Sequence, residues 1–176
     1  MNIGIYQEYE IPTQWHEELT NLKSRCFPNH QHDRSYYKQL PHFRFICTDN
    51  GKIVGHIGVD HRVIRVADEI FRIFGLIDVC VDEQYRNKSI ATSMIEKVFA
   101  LGQETGIDFL FLIASDHRVY EKNKFQVVNE LCSWLRIHDH RNYGVAVENL
   151  EQEIMIRKVG NRDWPKGPID LLGYVF

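Results

Sequence analysis

The spacing of apolar residues predicts a strand, a turn and an amphipathic helix near the middle of the chain. The apolar run from Leu76 to Val81 is followed by polar and charged positions, and apolar residues then recur every three to four positions as far as about Gly106. This second spacing places the apolar side chains on one face of a helix. The pattern therefore indicates that a buried strand leads directly into a helix N-terminus.

Apolar patterns before this segment predict one helix and four strands. Helical spacing runs from Ile11 to Phe27, and Pro28 ends it. Asn50-Gly51 lies between two apolar runs, which is the strongest short signal for a β-hairpin. The predicted strands are Met1–Tyr9, Phe43–Thr48, Lys52–Val66 and Ile70–Val81.

Three further strands are predicted after the central helix. Asp108–Ala114 is continuously apolar, as is typical of a strand that is covered on both faces. A helical crossover should make it parallel to the strand that ends at Val81. Leu131–Ile137 and Gln152–Val159 also have strand patterns, and the polar segment His138–Glu151 joins them.

Length, composition and charge narrow the class of protein. The 176 residues, 44% hydrophobic and 26% charged, predict a single soluble domain covering residues 1–176. The formal net charge of −3 provides no overall positive potential that would attract nucleic acid or an acidic membrane. It favours a positively charged small molecule as the binding partner. No apolar run approaches the roughly 20 residues that span a bilayer. Four scattered cysteines without a secretory leader predict a cytoplasmic protein with reduced thiols.

The turn between the central strand and helix has the chemistry of an anion site. Arg86 and Lys88 add positive charge to backbone N–H groups at the positive end of a helix dipole. The small side chains of Ser89 and Ala91 suit a diphosphate that lies on the backbone. The segment from Arg86 to Ala91 is therefore predicted to bind phosphate groups.

Two segments resemble motifs of the GNAT superfamily of N-acetyltransferases. Arg86 to Ala91 reads Arg-Asn-Lys-Ser-Ile-Ala, which is similar to the acetyl-CoA signature Gln/Arg-x-x-Gly-x-Gly/Ala, with Ser89 in place of the first glycine. Tyr120-Glu-Lys-Asn-Lys-Phe resembles the later family segment Tyr-x-Lys/Arg-x-Gly-Phe, with Lys124 in place of its glycine. The order and separation of the two motifs agree with the strand, helix, strand, helix sequence of the family.

The resemblance implies a fold and a cosubstrate. The fold is a single-domain α/β (α+β) fold of the GNAT type, in which helices flank a mixed, mostly antiparallel central sheet with one splayed pair of parallel strands. The cosubstrate is acetyl-CoA, whose pantetheine arm would lie between the splayed strands and pair with backbone groups of Val79 and Val81 as an added strand. The expected CoA-binding residues are Val79, Cys80, Val81, Arg86, Asn87, Lys88, Ser89, Ile90, Ala91 and Asp116.

The resemblance also implies a general acid and leaves the general base open. Tyr120 matches the tyrosine of the family, and a phenol with an ordinary pKa near 10 can protonate a leaving thiolate at pH 7. The alternative is that Tyr120 only packs. Many relatives carry a glutamate base on the fourth strand at about the position of Ile77. The candidate bases here are Asp78, His61 and Asp60, with His117 or a water relay as alternatives.

Asp60 and His61 lie inside a predicted strand, where charged groups imply either a face open to a cleft or pairing with each other. Asp163-Trp164-Pro165-Lys166-Gly167 resembles the Asp-Trp-x-x-Gly tail of aminoglycoside 2′-N-acetyltransferases and nodulation-type N-acyltransferases. Both branches accept an amine on an aminosugar; the alternative is that Trp164 merely packs on the last strands. The segment from residue 29 to 41 corresponds to part of the acceptor wall in the family. The expected acceptor-binding residues are Tyr36, Asp60, Asp163, Trp164 and Asp170.

Two histidine-containing segments have the spacing of zinc ligands. They are His30 and His32 with Asp33, and His138-Asp139-His140. Solvated loops are the preferred interpretation of both, so no metal is expected.

The preferred function is an acetyl-CoA-dependent N-acetyltransferase that acts on a primary amine of a small molecule by direct attack. The alternatives are an acyltransferase that uses a longer acyl chain and a non-catalytic acyl-CoA-binding or sensing module. Ser89, Lys124 and the missing glutamate support the sensing module. No nucleic-acid or membrane partner is expected, and a homodimer is left open.

Overall fold

The computed structural model describes residues 1–30 and 33–176, with the side chain of His30 excepted. The described residues form ten strands and three α-helices, and most of the strand pairs are antiparallel. This arrangement confirms the predicted mixed α/β fold. The chain forms two compact units: unit 1 contains residues 1–60 and 76–98, and unit 2 contains residues 61–75 and 99–176.

Unit 1 is built from the first strands of the chain and from two helices, the second of them only in part. Its strand order is β1, β2, β3 and the end of β4, and its helices are α1 and the first part of α2. The bounds of these elements are β1 Asn2–Gln7, α1 Thr13–Cys26, β2 Phe43–Asp49, β3 Lys52–Val66, β4 Glu69–Val81 and α2 Ile90–Glu104.

The predicted hairpin of unit 1 is confirmed. β2 and β3 pair antiparallel on either side of Asn50 and Gly51, whose φ angles are 48° and 79°. Positive φ at both central residues is the requirement of the tight hairpin turn that Asn-Gly favours. β1 pairs antiparallel with β2, from Asn2 opposite Thr48 to Gln7 opposite Phe43.

Helix α1 covers this part of the sheet with the face that its spacing predicts. It starts two residues later than predicted, after Pro12, and ends one residue earlier, at Cys26. Its buried Leu19 and Leu22 form a hydrophobic cluster with Ile46 of β2 and Cys80 of β4. The end of β4 is thereby held against the C-terminal half of α1.

Unit 2 contains the rest of the sheet, in the order β6, β9, β5, β4, β3, β10, β7, β8. β5 runs parallel to β4 from Ile73 opposite Phe109 to Gly75 opposite Phe111, as the helical crossover predicts. β10 forms a second parallel pair with β7, which sequence analysis did not predict. The remaining elements are β5 Phe109–Ile113, α3 Arg118–Lys122, β6 Gln126–Val127, β7 Leu131–His138, β8 Arg141–Asn149, β9 Ile154–Lys158 and β10 Ile169–Tyr174.

The segment His138–Glu151, expected only to join two strands, contains a strand that sequence analysis did not predict. Residues Arg141–Asn149 form β8, which pairs antiparallel with β7. Asp139 and His140 make the hairpin turn with φ angles of 44° and 57°. Almost all of β8 is exposed, so its polar sequence has no apolar face to reveal a strand. Hydrogen bonding to β7 decides its conformation instead.

Candidate functional site

The end of β4 and the start of α2 are joined by an exposed turn in unit 1. A short 3₁₀ helix, Glu83–Tyr85, follows the strand and is capped by Asp82, whose Oδ1 accepts a hydrogen bond from the N–H of Gln84 (3.2 Å). Residues 86–89 are exposed, and α2 begins at the buried Ile90. The predicted strand, turn and helix are thus confirmed around the proposed phosphate-binding segment.

Two residues of this turn adopt the left-handed conformation. The φ angle is +63° at Asn87 and +57° at Ser89. Glycine is usual at the position of Ser89 in the resembled signature, and glycine adopts positive φ without steric cost. Ser89 therefore adopts a conformation that favours glycine although it carries a Cβ.

This shape presents the start of α2 to solvent. The carbonyl of Ser89 accepts the hydrogen bond of the Ser93 N–H (2.9 Å), so the helical ladder begins there. N–H groups in the first turn of a helix have no intrahelical acceptor and favour an anion. Arg86 and Lys88, both exposed, add two positive charges beside them. The backbone N–H groups and the side chains of Arg86 and Lys88 could thus donate hydrogen bonds to the oxygens of a phosphate group.

A cavity of about 330 Å³ lies beside the turn, within unit 1. Asp82 in its wall is buried and pairs with Arg25 (2.8 Å) and more distantly with Lys52 (3.8 Å). Although burial opposes ionisation, hydrogen bonds from Arg25 and the Gln84 N–H lower the pKa of Asp82. The other lining residues are Cys26, Glu83, Gln84 and Arg86.

Cys26, a free cysteine that lines this cavity, was not selected by sequence analysis. A hydrogen bond from the Cys80 thiol lowers the pKa of Cys26 to about 7, with burial opposing the shift and Arg86 assisting it. The same contact, together with burial, raises the pKa of Cys80. The two cysteines are distant in the sequence and belong to different elements, so no local motif indicates the pair.

The predicted base Asp78 lies in β4 with an unusual backbone. Its φ angle is +50°, and its carboxylate forms an ion pair with Lys23 of α1 (2.5 Å). His56 donates from Nδ1 to the carbonyl of Asp78 (3.1 Å). Burial, Arg44 and Lys23 lower the pKa of His56, which agrees with a neutral ring. Asp78 is thus fixed through both its backbone and its carboxylate, and its role as a base stays a prediction.

A buried arginine holds the first strands of unit 1 together. Arg44 in β2 is 1% exposed and binds both carboxylate oxygens of Glu8, at 2.5 and 3.0 Å. Its Nη1 also donates to the carbonyl of Ser35 and to Nε2 of His56, each at 3.0 Å. Acceptance at Nε2 assigns the ring proton of His56 to Nδ1. This network connects the segment before β2 to Asp78.

Asp60 has a partner that sequence analysis did not select. Its side chain is 0% exposed, and Oδ1 lies 3.2 Å from Nδ1 of His42, whose side chain is 56% exposed. His42 lies just before β2, and its N–H donates to the carbonyl of Val59 (3.0 Å). The prediction of Asp60 as a base or acceptor-binding residue stays a prediction. The other candidate, His61, is exposed and lies edge-on to Phe74 in unit 2.

In unit 2, the second resembled motif forms the short helix α3. Tyr120 lies within it, half-buried, with its ring edge-on to Phe125 at 5.8 Å between centroids. Lys124 after the helix has a φ angle of +64°, in the region that favours glycine, and glycine is the residue of the resembled motif at this position. The acid role of Tyr120 stays a prediction. Asp116 pairs with Arg118 (2.6 Å), which lowers the pKa of Asp116 to about 2.

The predicted acceptor residues occupy several places. Trp164 packs on Phe71, Phe109 and Phe111 of unit 2, at centroid distances of 6.0, 5.1 and 6.4 Å. Trp164 therefore contacts β4 and β5, and the role that the structure shows for it is packing. Asp163 pairs with Lys158 (2.5 Å), which lowers the pKa of Asp163. Asp170 pairs with Arg65 (3.5 Å), and Tyr36 lies beneath the guanidinium of Arg34 (5.6 Å).

No metal centre is found among the described side chains, which include His138, Asp139 and His140 but not His30. Within residues 1–30 and 33–176, no three His, Cys, Asp or Glu side chains are arranged to hold a metal ion. His32 lies outside the described residues. The described helices include none that is both long and apolar enough to cross a membrane.

The fold is a mixed sheet whose fourth strand leads through an exposed turn into a helix. The sequence profile of the Acetyltransferase (GNAT) domain matches residues 10–128. The chain therefore belongs to the GNAT acetyltransferase family. No curated protein matches the sequence significantly.

Solved structures agree with this assignment at the level of the fold. YhbS from Escherichia coli, a GNAT family N-acetyltransferase in complex with CoA, has a TM-score of 0.65 at 14% identity, over 97% of this chain and 88% of that one. A GNAT family acetyltransferase from Brucella melitensis in complex with acetyl-CoA has a TM-score of 0.60 at 13% identity, over 96% and 94% of the two chains. A third, from Staphylococcus aureus Mu50, has a TM-score of 0.55 at 18% identity, over 90% and 99%.

Proposed function

We propose that the protein transfers an acetyl group from acetyl-CoA to a primary amine of a small molecule. The observation that carries the proposal is the turn before α2, in which Asn87 and Ser89 adopt positive φ and the exposed Arg86 and Lys88 precede the N-terminus of the helix. Such a turn binds a diphosphate through backbone donors and two cations. The complexes of YhbS with CoA and of the Brucella melitensis protein with acetyl-CoA support the choice of ligand.

The pantetheine arm would lie along β4, where its amides would pair with the backbone of Val79 and Val81. Both residues are only half-buried, so this part of the strand is open to a ligand. Pairing of an extended ligand with a strand supplies affinity through backbone hydrogen bonds. The thioester would then lie beyond the diphosphate, towards the middle of β4.

The reaction itself needs no covalent enzyme intermediate. The lone pair of the amine attacks the thioester carbonyl carbon and the C–N bond forms. The nitrogen then loses one proton to a base or to water, and the C–S bond breaks with the electron pair leaving on sulfur. Tyr120 would protonate the thiolate, because a phenol and a thiolate have comparable basicity. Binding of the two substrates in a fixed orientation would supply much of the increase in the rate of acetyl transfer.

The acceptor is proposed from charge and from the C-terminal segment. The net charge of −3 favours a cationic amine, and Asp163-Trp164 begins the tail that resembles those of enzymes acting on aminosugars. Asp163 is exposed and ionised beside Lys158, so it could face a charged ligand. The packing of Trp164 on three phenylalanines gives that residue a structural role and weakens its part in this proposal.

The alternative, a non-catalytic CoA sensor, loses part of its basis. Ser89 and Lys124 were grounds for that alternative because they replace family glycines. Their φ angles of +57° and +64° show that both positions keep the glycine conformation. The remaining argument for the sensor is that Ile77 stands at the position of the family glutamate.

A thiol-release assay tests the proposal. The protein would be incubated with acetyl-CoA and a panel of primary amines, aminosugars and aminoglycosides, and free CoA would be measured beside calorimetric titration of CoA. We expect saturable CoA binding and amine-dependent thiol release for at least one class of acceptor. CoA binding without any amine-dependent release would favour the sensor, and no CoA binding at millimolar ligand would refute both functions.

A further inference from the structure

We propose that His42 and Asp60 form a catalytic dyad in which His42 removes the proton from the acceptor amine and Asp60 positions and stabilises the imidazole. The inference rests on the proposed acetyl transfer and supplies the general base that sequence analysis left open. The two residues are 18 positions apart, and His42 belongs to no motif that the sequence reveals.

The arrangement of the pair is asymmetric in a way that suits proton transfer. Asp60 is 0% exposed, while the side chain of His42 is 56% exposed and in contact with solvent. A buried carboxylate costs free energy unless it is hydrogen-bonded, and the Nδ1 of His42 lies 3.2 Å from its Oδ1. A histidine whose Nδ1–H donates to a carboxylate uses Nε2 as its basic nitrogen. The carboxylate then stabilises the imidazolium that forms when Nε2 takes a proton.

Backbone contacts fix the position of the ring. The N–H of His42 donates to the carbonyl of Val59, which precedes Asp60 in β3. Asp60 is held in the middle of β3, a strand paired on this side with β2. Both members of the dyad are thus attached to the same sheet, and little reorganisation is needed when the imidazole changes charge.

The residue before His42 lies close to Gly58, as does Ile77, the position at which the resemblance places the glutamate of the family. A Cβ built on Gly58 would lie 3.4 Å from the Cβ of Ile77 in β4 and 3.4 Å from the Cβ of Pro41, the residue before His42. Gly58 and Asp60 are two residues apart in β3, so they share a face of the sheet. Pro41 and Ile77 therefore both lie against Gly58, and in the proposed dyad the histidine supplies the base that the isoleucine cannot.

The competing candidate in unit 1 is already engaged. The carboxylate of Asp78 contacts the ammonium group of Lys23 at 2.5 Å, and this contact ties it to α1. A base must change its protonation state during turnover, and protonation of Asp78 would break that ion pair. His42 can accept a proton while its contact with Asp60 becomes stronger, because both partners are then charged.

The step balances without any further reactant. The amine nitrogen forms the C–N bond with the carbonyl carbon, and its proton passes to Nε2 of His42. The C–S bond breaks, the thiolate receives a proton from the general acid, and His42 returns its proton to solvent. No oxidant, reductant or metal is required.

The test compares His42→Ala with His138→Ala. His138 is a matched control because it also contacts an aspartate, Asp139 (3.5 Å), but its side chain and that of Asp139 are 63% and 64% exposed, and neither residue has a proposed role. We expect His42→Ala to lower kcat on the order of 10²-fold or more at pH 7, the usual scale of general-base catalysis. CoA affinity should stay that of the natural protein. The thermal midpoint should fall, because the buried carboxylate of Asp60 loses a hydrogen-bond partner. His138→Ala should match the natural protein in all three measurements.

Two further readouts distinguish proton transfer from a structural effect. Added imidazole should restore part of the activity of His42→Ala, and the loss should shrink at high pH as the acceptor amine loses its proton to solvent. Asp60→Asn should lower kcat less than His42→Ala, because the amide still orients the ring but cannot stabilise the imidazolium. If Asp60→Asn does not fold, the His42 comparison decides alone.

The outcomes separate this inference from the proposed function. If the natural protein releases CoA with an amine and His42→Ala does the same at an equal rate, the dyad is refuted and the acetyltransferase is retained. A loss in His42→Ala that neither imidazole nor high pH relieves also refutes the dyad, because a base would respond to both. If the natural protein releases no CoA with any amine, the acetyltransferase fails and the dyad fails with it.

Discussion

Replacing Ser89 with glycine tests whether the turn stores backbone strain. Ser89 has a φ angle of +57° and is exposed, and its side chain makes no hydrogen bond among those found in the structure. Its carbonyl, which starts the ladder of α2, is a backbone group that glycine retains. The substitution therefore changes the conformational preference of one residue and little else.

The expected gain follows from two opposing effects. A non-glycine residue in the left-handed region costs about 1–2 kcal/mol. Glycine has greater backbone freedom in the unfolded chain, and this returns about 0.5–1 kcal/mol. We therefore expect Ser89→Gly to raise the free energy of unfolding by about 0.5–1 kcal/mol, or the thermal midpoint by roughly 1–4 °C in a chain of this size.

Thermal and urea unfolding of three variants would measure the effect. Asn87→Gly is a matched control in the same turn, at a φ angle of +63°, and it should gain less because asparagine tolerates this region better than serine. Ser93→Gly removes the same side chain inside α2 and should lose about 0.5 kcal/mol, because glycine is a poor helix former. CoA affinity of Ser89→Gly should be unchanged or tighter, since loss of the Cβ lets a phosphate approach more closely.

The reasoning would be refuted if Ser89→Gly lost as much stability as Ser93→Gly. Such a result would mean that the serine side chain stabilises the turn more than the positive φ destabilises it. A distinct loss of CoA affinity with unchanged stability would instead identify the hydroxyl as a ligand contact.

Three other substitutions or titrations test the remaining parts of the site. Arg86→Ala should weaken CoA binding by roughly 10- to 100-fold in calorimetric titration, the scale of about 1.5–3 kcal/mol for a lost charge-assisted contact; Lys166→Ala is a control outside the turn, and equal affinities would contradict the phosphate assignment. Tyr120→Phe should keep CoA affinity while kcat for thiol release falls on the order of 10²-fold, and an unchanged kcat would remove Tyr120 as the acid. The rate of Cys26 alkylation by iodoacetamide should rise with pH to a plateau, with a midpoint near 7, because only the thiolate reacts. Arg86→Ala should move that midpoint upward, and a midpoint near 9 in the natural protein would contradict the hydrogen bond from Cys80.

Local patterns in the sequence were sufficient for most elements of the sheet and for the turn. The predicted bounds of β3 agree with the structure at both ends, and the apolar spacing after Ile90 locates α2, which ends at Glu104. These predictions succeed because side-chain periodicity depends on the backbone conformation of neighbouring residues. β8 was not predicted, because it is exposed on both faces and hydrogen bonding to β7 determines its conformation.

The sequence by itself determined the α/β character of the chain, the position of the phosphate-binding turn and the motif around Tyr120. Only the tertiary structure decided which distant side chains meet: Cys26 with Cys80, Lys23 with Asp78, and His42 with Asp60. It also decided that Ser89 takes the conformation of glycine. The physical reason is that a contact between separate elements depends on strand pairing and helix packing, which place residues together without leaving a periodic signal around either one.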